Sequence, residues 1–267
     1  MPDTTVNLNL VRLAGASQAR AVADATFADR PFRLALAGYG RPKVDTYEPH
    51  TRLFVKSVID RLGSDKVGMV TSPTEMNKQS IDIIGITLAQ QGNIPLLFAT
   101  AEHYLPWIDL NQLPESVNKA HFINTPKYVF PSKEEYSEAT AIASNALLLT
   151  GGADATVGDF VNAVREGNQV VILDNETLGG VNWNTQKQSP FNASRYLVEQ
   201  LEANQGGKAL PWPECNGFSP QLLAENARGI SEKVFVIALH HESEISEAAT
   251  RAARFISKHK HGRVIAG

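Results

Sequence analysis

The residues best placed for chemistry lie in Leu147-Leu148-Leu149-Thr150-Gly151-Gly152-Ala153-Asp154-Ala155-Thr156-Val157-Gly158-Asp159-Phe160, an apolar run broken by paired glycines and followed by a helical pattern. A phosphate-binding turn is built this way. A strand ends, glycines turn the backbone where a side chain would clash, and the next helix offers unpaired N–H groups and the positive end of its dipole to an anion. Thr156 adds a hydroxyl, and Asp159 is expected to place a carboxylate on the first turn of the helix. The same residues also spell an ordinary strand-to-helix turn capped by Thr156 or Asp154. In that reading Asp159 only complements the helix dipole, worth roughly 0.3–1 kcal/mol.

Two further polar turns follow apolar runs: Gly38-Tyr39-Gly40-Arg41 and Thr71-Ser72-Pro73-Thr74-Glu75. Arg41, beside a glycine turn, suits a bidentate phosphate clamp or a plain surface role. Glu75 is a second carboxylate for the same crevice or a solvated turn residue. Asp174, directly after an apolar run, fits either a ribose hydroxyl or the start of a loop. His240-His241-Glu242 ends a strand pattern, and neighbours on a strand point to opposite faces, so no metal centre is expected there. His259-Lys260-His261 reads as a solvated tail. No Gly-x-Ser-x-Gly, Walker A or His-Glu-x-x-His pattern occurs.

The elements that must position these turns alternate between short apolar runs and longer helical patterns, the signature of a parallel sheet flanked by helices. Strands are predicted at 32–37, 67–70, 94–99, 147–150, 169–173 and 233–239, with a further short strand near 120–123. Helices are predicted at 49–62, 78–91, 132–144, 156–166, 193–203 and 244–258. Ser132, followed three residues later by Glu135, matches a capping box. Residues 174–191 read as a polar loop able to act as a lid, and 206–219 as a connection without periodicity. Residues 1–30 hold a strand-like run at 6–13 and a helix-like run at 17–28, an extension whose place the pattern does not assign. Residues 31–267 are expected to form a single α/β domain. Its sheet is mainly parallel and doubly wound, with helices on both faces and a C-terminal strand–helix unit added. Open parallel sheets bind ligands beyond the carboxyl ends of their strands, where strand order reverses. The predicted ligand contacts are therefore Gly38, Gly40, Arg41, Thr71, Ser72, Thr74, Thr150, Gly151, Gly152, Ala153, Asp154, Ala155, Thr156 and Asp174.

Composition narrows the partners. The chain has 267 residues, 43% of them hydrophobic, and a formal net charge of −3. That is enough apolar content for a full core. Its basic residues are spread thinly, so no nucleic-acid-binding face is expected. One cysteine, Cys215, rules out an intramolecular disulfide and a cysteine zinc cluster, and suits a reducing compartment. No apolar run approaches the roughly 18 residues of a membrane span. The first residues lack the charged and apolar regions of a signal peptide. A cytoplasmic protein that uses no metal and no cofactor is expected.

The order of parts resembles the lysine-decarboxylase-like, or LOG, proteins and the wider SLOG superfamily of Rossmann-like nucleotide-binding domains. The resemblance covers about residues 32–175. It rests on Ser144-Asn145-Ala146-Leu147-Leu148-Leu149-Thr150-Gly151-Gly152, similar to the approach to a Pro-Gly-Gly-x-Gly-Thr-x-x-Glu motif, and on Ala155-Thr156-Val157-Gly158-Asp159, similar to its second half. Thr150 stands for the proline, Ala155 for the third glycine and Asp159 for the glutamate, with one residue added before Thr156. In LOG phosphoribohydrolases that glutamate works with an arginine of the preceding helix to break a base–ribose bond. Residues 132–144 contain no arginine. The resemblance thus implies a Rossmann-like fold, a nucleotide or phosphorylated small-molecule ligand and a homodimer. Sensing or carrying is the leading expectation. The alternative is hydrolysis of a nucleoside monophosphate's N-glycosidic bond by Asp159 with Glu75, and a third is an interaction protein with a degenerate pocket.

Overall fold

A computed structural model describes residues 8–40, 42, 47–74, 76–174, 192–205 and 232–258. All of the predicted 174–191 loop after Asp174, the connection at 206–219, Arg41, Glu75, Cys215 and the 259–261 tail lie outside the described residues.

In chain order the elements are β1 (Leu10–Arg12), α1 (Ala19–Thr26), β2 (Phe32–Gly38), α2 (Tyr47–Leu62), β3 (Val67–Thr71), α3 (Ile81–Gln91), β4 (Leu96–Ala101) and α4 (Lys119–Asn124). They continue with β5 (Lys127–Phe130), α5 (Lys133–Ala143), β6 (Ala146–Thr150), α6 (Asp154–Arg165), β7 (Gln169–Asp174), α7 (Ala193–Gln205), β8 (Val234–Ala238) and α8 (Ile245–Lys258). The strands form one sheet in the order β1-β5-β4-β3-β2-β6-β7-β8, and every pairing is parallel. The chain runs outward from β2 through β3, β4 and β5, then returns to place β6 on the other side of β2. This is a doubly wound Rossmann-like sheet whose order reverses between β2 and β6. The C-terminal strand joins it through β7, and the N-terminal strand closes the far edge beside β5.

Strand alternation explains the two-sided core. In β2, Leu34 and Leu36 face the cluster made with α2, α3 and α8, whereas Ala35 and Ala37 face the one made with α1, α5, α6 and α7. Small side chains on the second face let those helices come close to the sheet. β6 repeats the pattern, with Leu148 on the first face and Leu147 and Leu149 on the second.

Local capping corrects several predicted boundaries. Residues 120–123 are helical, within α4, because the Asn118 side chain accepts the His121 N–H at 3.0 Å and starts a helix; the strand follows it as β5. α3 begins at Ile81 because the Ser80 hydroxyl accepts the Ile83 N–H at 3.1 Å. Ser132 caps α5 as its sequence predicts, accepting from the Glu135 N–H at 3.1 Å. α6 starts at Asp154, two residues earlier than predicted, which puts Asp159 on the second turn of the helix and not the first.

Candidate functional site

At the β2/β6 reversal three glycines, Gly38, Gly151 and Gly152, leave no open space for a Cβ. A Cβ on Gly38 would lie 2.3 Å from the Tyr47 hydroxyl and 2.7 Å from Thr150 Oγ1. Those two hydroxyls bond each other at 3.1 Å, and the Tyr47 hydroxyl also accepts the Tyr39 N–H at 3.1 Å. The β2 turn is thereby tied to the end of β6. Gly151 and Gly152 have φ of 108° and 98°. A Cβ on Gly151 would meet the Tyr39 ring at 2.4 Å, and one on Gly152 would meet Thr156 Oγ1 at 2.1 Å. Side chains rarely adopt such dihedrals, so glycine is required twice over.

The glycine pair is nevertheless committed to the scaffold. The Gly151 N–H donates to Ser194 Oγ at 2.7 Å, and the Gly152 carbonyl accepts from the Ala193 N–H at 3.0 Å, both at the start of α7. Beyond the pair, Ala153 is the N-cap of α6 and provides no side-chain cap. The Thr156 N–H donates to the Ala153 carbonyl at 2.9 Å, and the helix directs the positive end of its dipole past the Asp154 and Ala155 amides.

That uncapped end opens on a cavity of about 380 Å³. Of the residues expected to contact a ligand or act as the carboxylate, Gly38 and Gly40 of the β2 turn, Ser72 and Thr74 of the β3 turn, Ala153 at the N-cap of α6, and Ala155, Thr156 and Asp159 of α6 line it. Thr71, Thr150, Gly151, Gly152 and Asp174 are not among its lining residues. Thr71 Oγ1 donates to Asp82 Oδ1 at 3.2 Å, and Thr150 is buried against Tyr47. Asp174 pairs with Arg195 at 3.2 Å. Asp154 contributes its backbone to the first turn of α6.

The remaining wall consists of residues that the sequence reading missed. A 3-10 turn after β4, Glu102–Trp107, supplies Tyr104 and Trp107. α5 supplies Lys133, Glu134, Tyr136 and Ser137, and α3 supplies Ile81 and Asp82. Ser137 is the link between α5 and α6. Its hydroxyl donates to Asp159 Oδ1 at 2.7 Å and accepts from Asn162 Nδ2 at 3.1 Å. The resembled family has an arginine on this helix; here a serine meets the carboxylate. The signal available in sequence was the capping box, which fixes where α5 starts and hence which of its residues share a face.

Electrostatics follow from burial. The Asp159 carboxyl is enclosed by protein except where it meets the cavity, and this desolvation raises its pKa to about 6 against the lowering effect of Ser137. Tyr136 is pushed well above the ordinary phenol value, first by burial and then by the charges of Asp159 and Asp82, while a hydrogen bond with Ser72 opposes the shift. Tyr104 is raised by burial and by Asp159 and Glu134. Both phenols therefore stay protonated at neutral pH and remain able to donate to a ligand. Among the described residues, no group of three or more His, Cys, Asp or Glu is placed to hold a metal ion. Also among them, no helix is long and apolar enough to cross a membrane.

No protein-family model and no curated protein matches the chain. Among solved structures, one similar chain is the structural-genomics target TM1055, at 8% identity and a TM-score of 0.44, covering 82% of this chain and 99% of that one. Another is DNA processing protein A from Helicobacter pylori, at 12% identity and a TM-score of 0.44, covering 77% of this chain and 84% of that one. The Helicobacter protein is described by its single-stranded DNA binding mode. Neither match says what this chain binds.

Proposed function

We propose that this protein binds a nucleotide or nucleotide-derived small molecule in the cavity at the β2/β6 reversal, in a sensing or carrying role. One observation carries the reading: the uncapped N-terminus of α6 opens into a ligand-sized cavity at the point where strand order reverses. A phosphate there would take the Asp154 and Ala155 amides and the Thr156 hydroxyl. Melting temperature measured against a panel of nucleoside monophosphates and NAD-related compounds tests it. A ligand at a hundred times its dissociation constant adds about 2.7 kcal/mol, a visible shift. No shift with any compound overturns the reading and leaves an interaction protein with a degenerate pocket.

A second reading, hydrolysis of an N-glycosidic bond, is favoured by Asp159 alone. A cavity-facing carboxyl with a pKa near 6 can orient or deprotonate water while it stabilises a ribosyl cation. Release of free base from a nucleoside monophosphate, lost in Asp159→Asn, would establish it. The absence of an arginine from α5 favours binding over this chemistry.

A further inference from the structure

We propose that the ligand of this cavity is bound together with a proton, taken up on the Asp159 oxygen that faces it, and that Ser137 and Asn162 set that direction of donation. This rests on the nucleotide reading above and adds its regulation by pH.

Polar side chains form a one-way chain behind the cavity. Asn162 Nδ2 can only donate, and it donates to Ser137 Oγ at 3.1 Å. Arg165 fixes that amide by donating from Nη1 to Asn162 Oδ1 at 3.4 Å. The Ser137 proton is thereby turned to Asp159 Oδ1, 2.7 Å away, which must accept it. Among the described residues Ser137 is the one hydrogen-bond partner of Asp159, whose carboxyl also lines the cavity. Any proton the carboxyl carries therefore belongs on its second oxygen, where it serves a ligand.

Position makes that proton necessary. Asp159 follows Ala155 and Thr156 by four and three residues in α6, so it shares their face of the helix, and helical side chains lean toward the N-terminus. Its carboxyl overhangs the place assigned to a phosphate. Two anions there repel, whereas a protonated carboxyl donates to a phosphate oxygen. The other titratable or charged groups of the described lining are Lys133, Glu134 and Tyr136 from α5, Asp82 from α3 and Tyr104 from the 3-10 turn. From β2 come only Leu36, Ala37 and Gly38, and none of the described lining belongs to β6 or α7. Both tyrosines keep their protons at neutral pH. Burial already holds the Asp159 pKa at about 6, so a modest further rise on binding brings protonation into the neutral range.

Isothermal titration of the full chain tests this with the 5′-monophosphates of adenosine, guanosine, cytidine and uridine and with nicotinamide mononucleotide. Repeated at pH 7.0 in buffers of different ionisation enthalpy, binding is expected to take up about half a proton or more. Asp159→Asn puts an amide donor where the proton would sit. It is expected to lose the uptake and to bind about tenfold more tightly than the parent at pH 8. Titration of the phosphate itself is common to parent and variant and cancels in their difference. Ser137→Ala is expected to move the pH of greatest uptake upward, which the loss of a merely structural contact would not do. Buffer-independent binding by the parent, equal uptake by parent and Asp159→Asn, or no gain in the variant's affinity at pH 8 overturns the inference and leaves the nucleotide reading standing. No binding of any of these nucleotides overturns both.

Discussion

Where β2 and β6 end, the cavity is walled by Gly38, Gly40 and the first turn of α6, while the positive-φ pair Gly151–Gly152 and the Tyr47–Thr150 hydroxyl tie hold the adjoining turns without lining it. Along the 3-10 turn and α5 it is walled by side chains, with two tyrosines, a tryptophan and carboxylates. The first side is constrained because a Cβ on Gly38, Gly151 or Gly152 would clash, and it offers dipoles in fixed positions. The second depends on rotamers and long side chains, so substitution of its exposed residues is expected to have little effect on whether the chain folds.

The comparison is broken most severely at Gly151. Gly151→Val forces a branched side chain into positive φ and against the Tyr39 ring, costing about 3 kcal/mol or more in denaturant unfolding. Trp107→Ala, by contrast, should change stability by less than about 0.5 kcal/mol, since the ring is half exposed. If the two variants destabilise equally, the division between scaffold side and recognition side is wrong.

Asp159 belongs to both sides, and pH separates its roles. Its pKa in the folded chain, about 6, lies above the ordinary 3.8, so the folded state holds the proton more tightly than the unfolded one. Stability should therefore rise as pH falls from about 6 toward 4, and stay at its lower plateau above 6. Asp159→Asn should remove that pH dependence and be more stable than the parent at pH 7.5 by about 1–2 kcal/mol. This is less than the roughly 3 kcal/mol of a full two-unit shift, because one side of the carboxyl faces the cavity. Ser137→Ala, which deletes the hydrogen bond that lowers the pKa, should move the midpoint of the transition above 6, read by carboxyl NMR titration. The smallest effect is expected at Asp174. Asp174→Ala breaks a partly exposed pair with Arg195, which should cost at most about 1 kcal/mol and leave ligand affinity unchanged.

The backbone-built side was the legible one. Paired glycines after Leu147-Leu148-Leu149 announce a turn directly, because their conformational requirement is a property of the residue itself. The parallel sheet and its C-terminal addition also follow from alternating apolar periods. The side-chain-built wall was hidden for a different reason. Tyr104 and Trp107 sit in an irregular stretch around Pro106, and Tyr136 and Ser137 reach the cavity only because β6 returns beside β2. No local pattern encodes that return. The strand expected at 120–123 failed because Phe122 and Ile123 look alike in either state, and the Asn118 cap decided for helix. Asp174 was expected directly after its strand but is the last residue of β7, and its partner came from α7 and not from the cavity.

The edge strand carries a consequence for synthesis. Leu10–Arg12 pairs only with Lys127–Val129, so β1 leaves the ribosome long before the strand that receives it exists. Until then its backbone groups and Val11 have no ladder to join, while β2 and β3 are already able to pair. β1 is thus expected to dock late, after β5 and α5 have formed. Folding during synthesis is then expected to begin near the middle of the sheet and to finish the far edge with a strand made well before its partner.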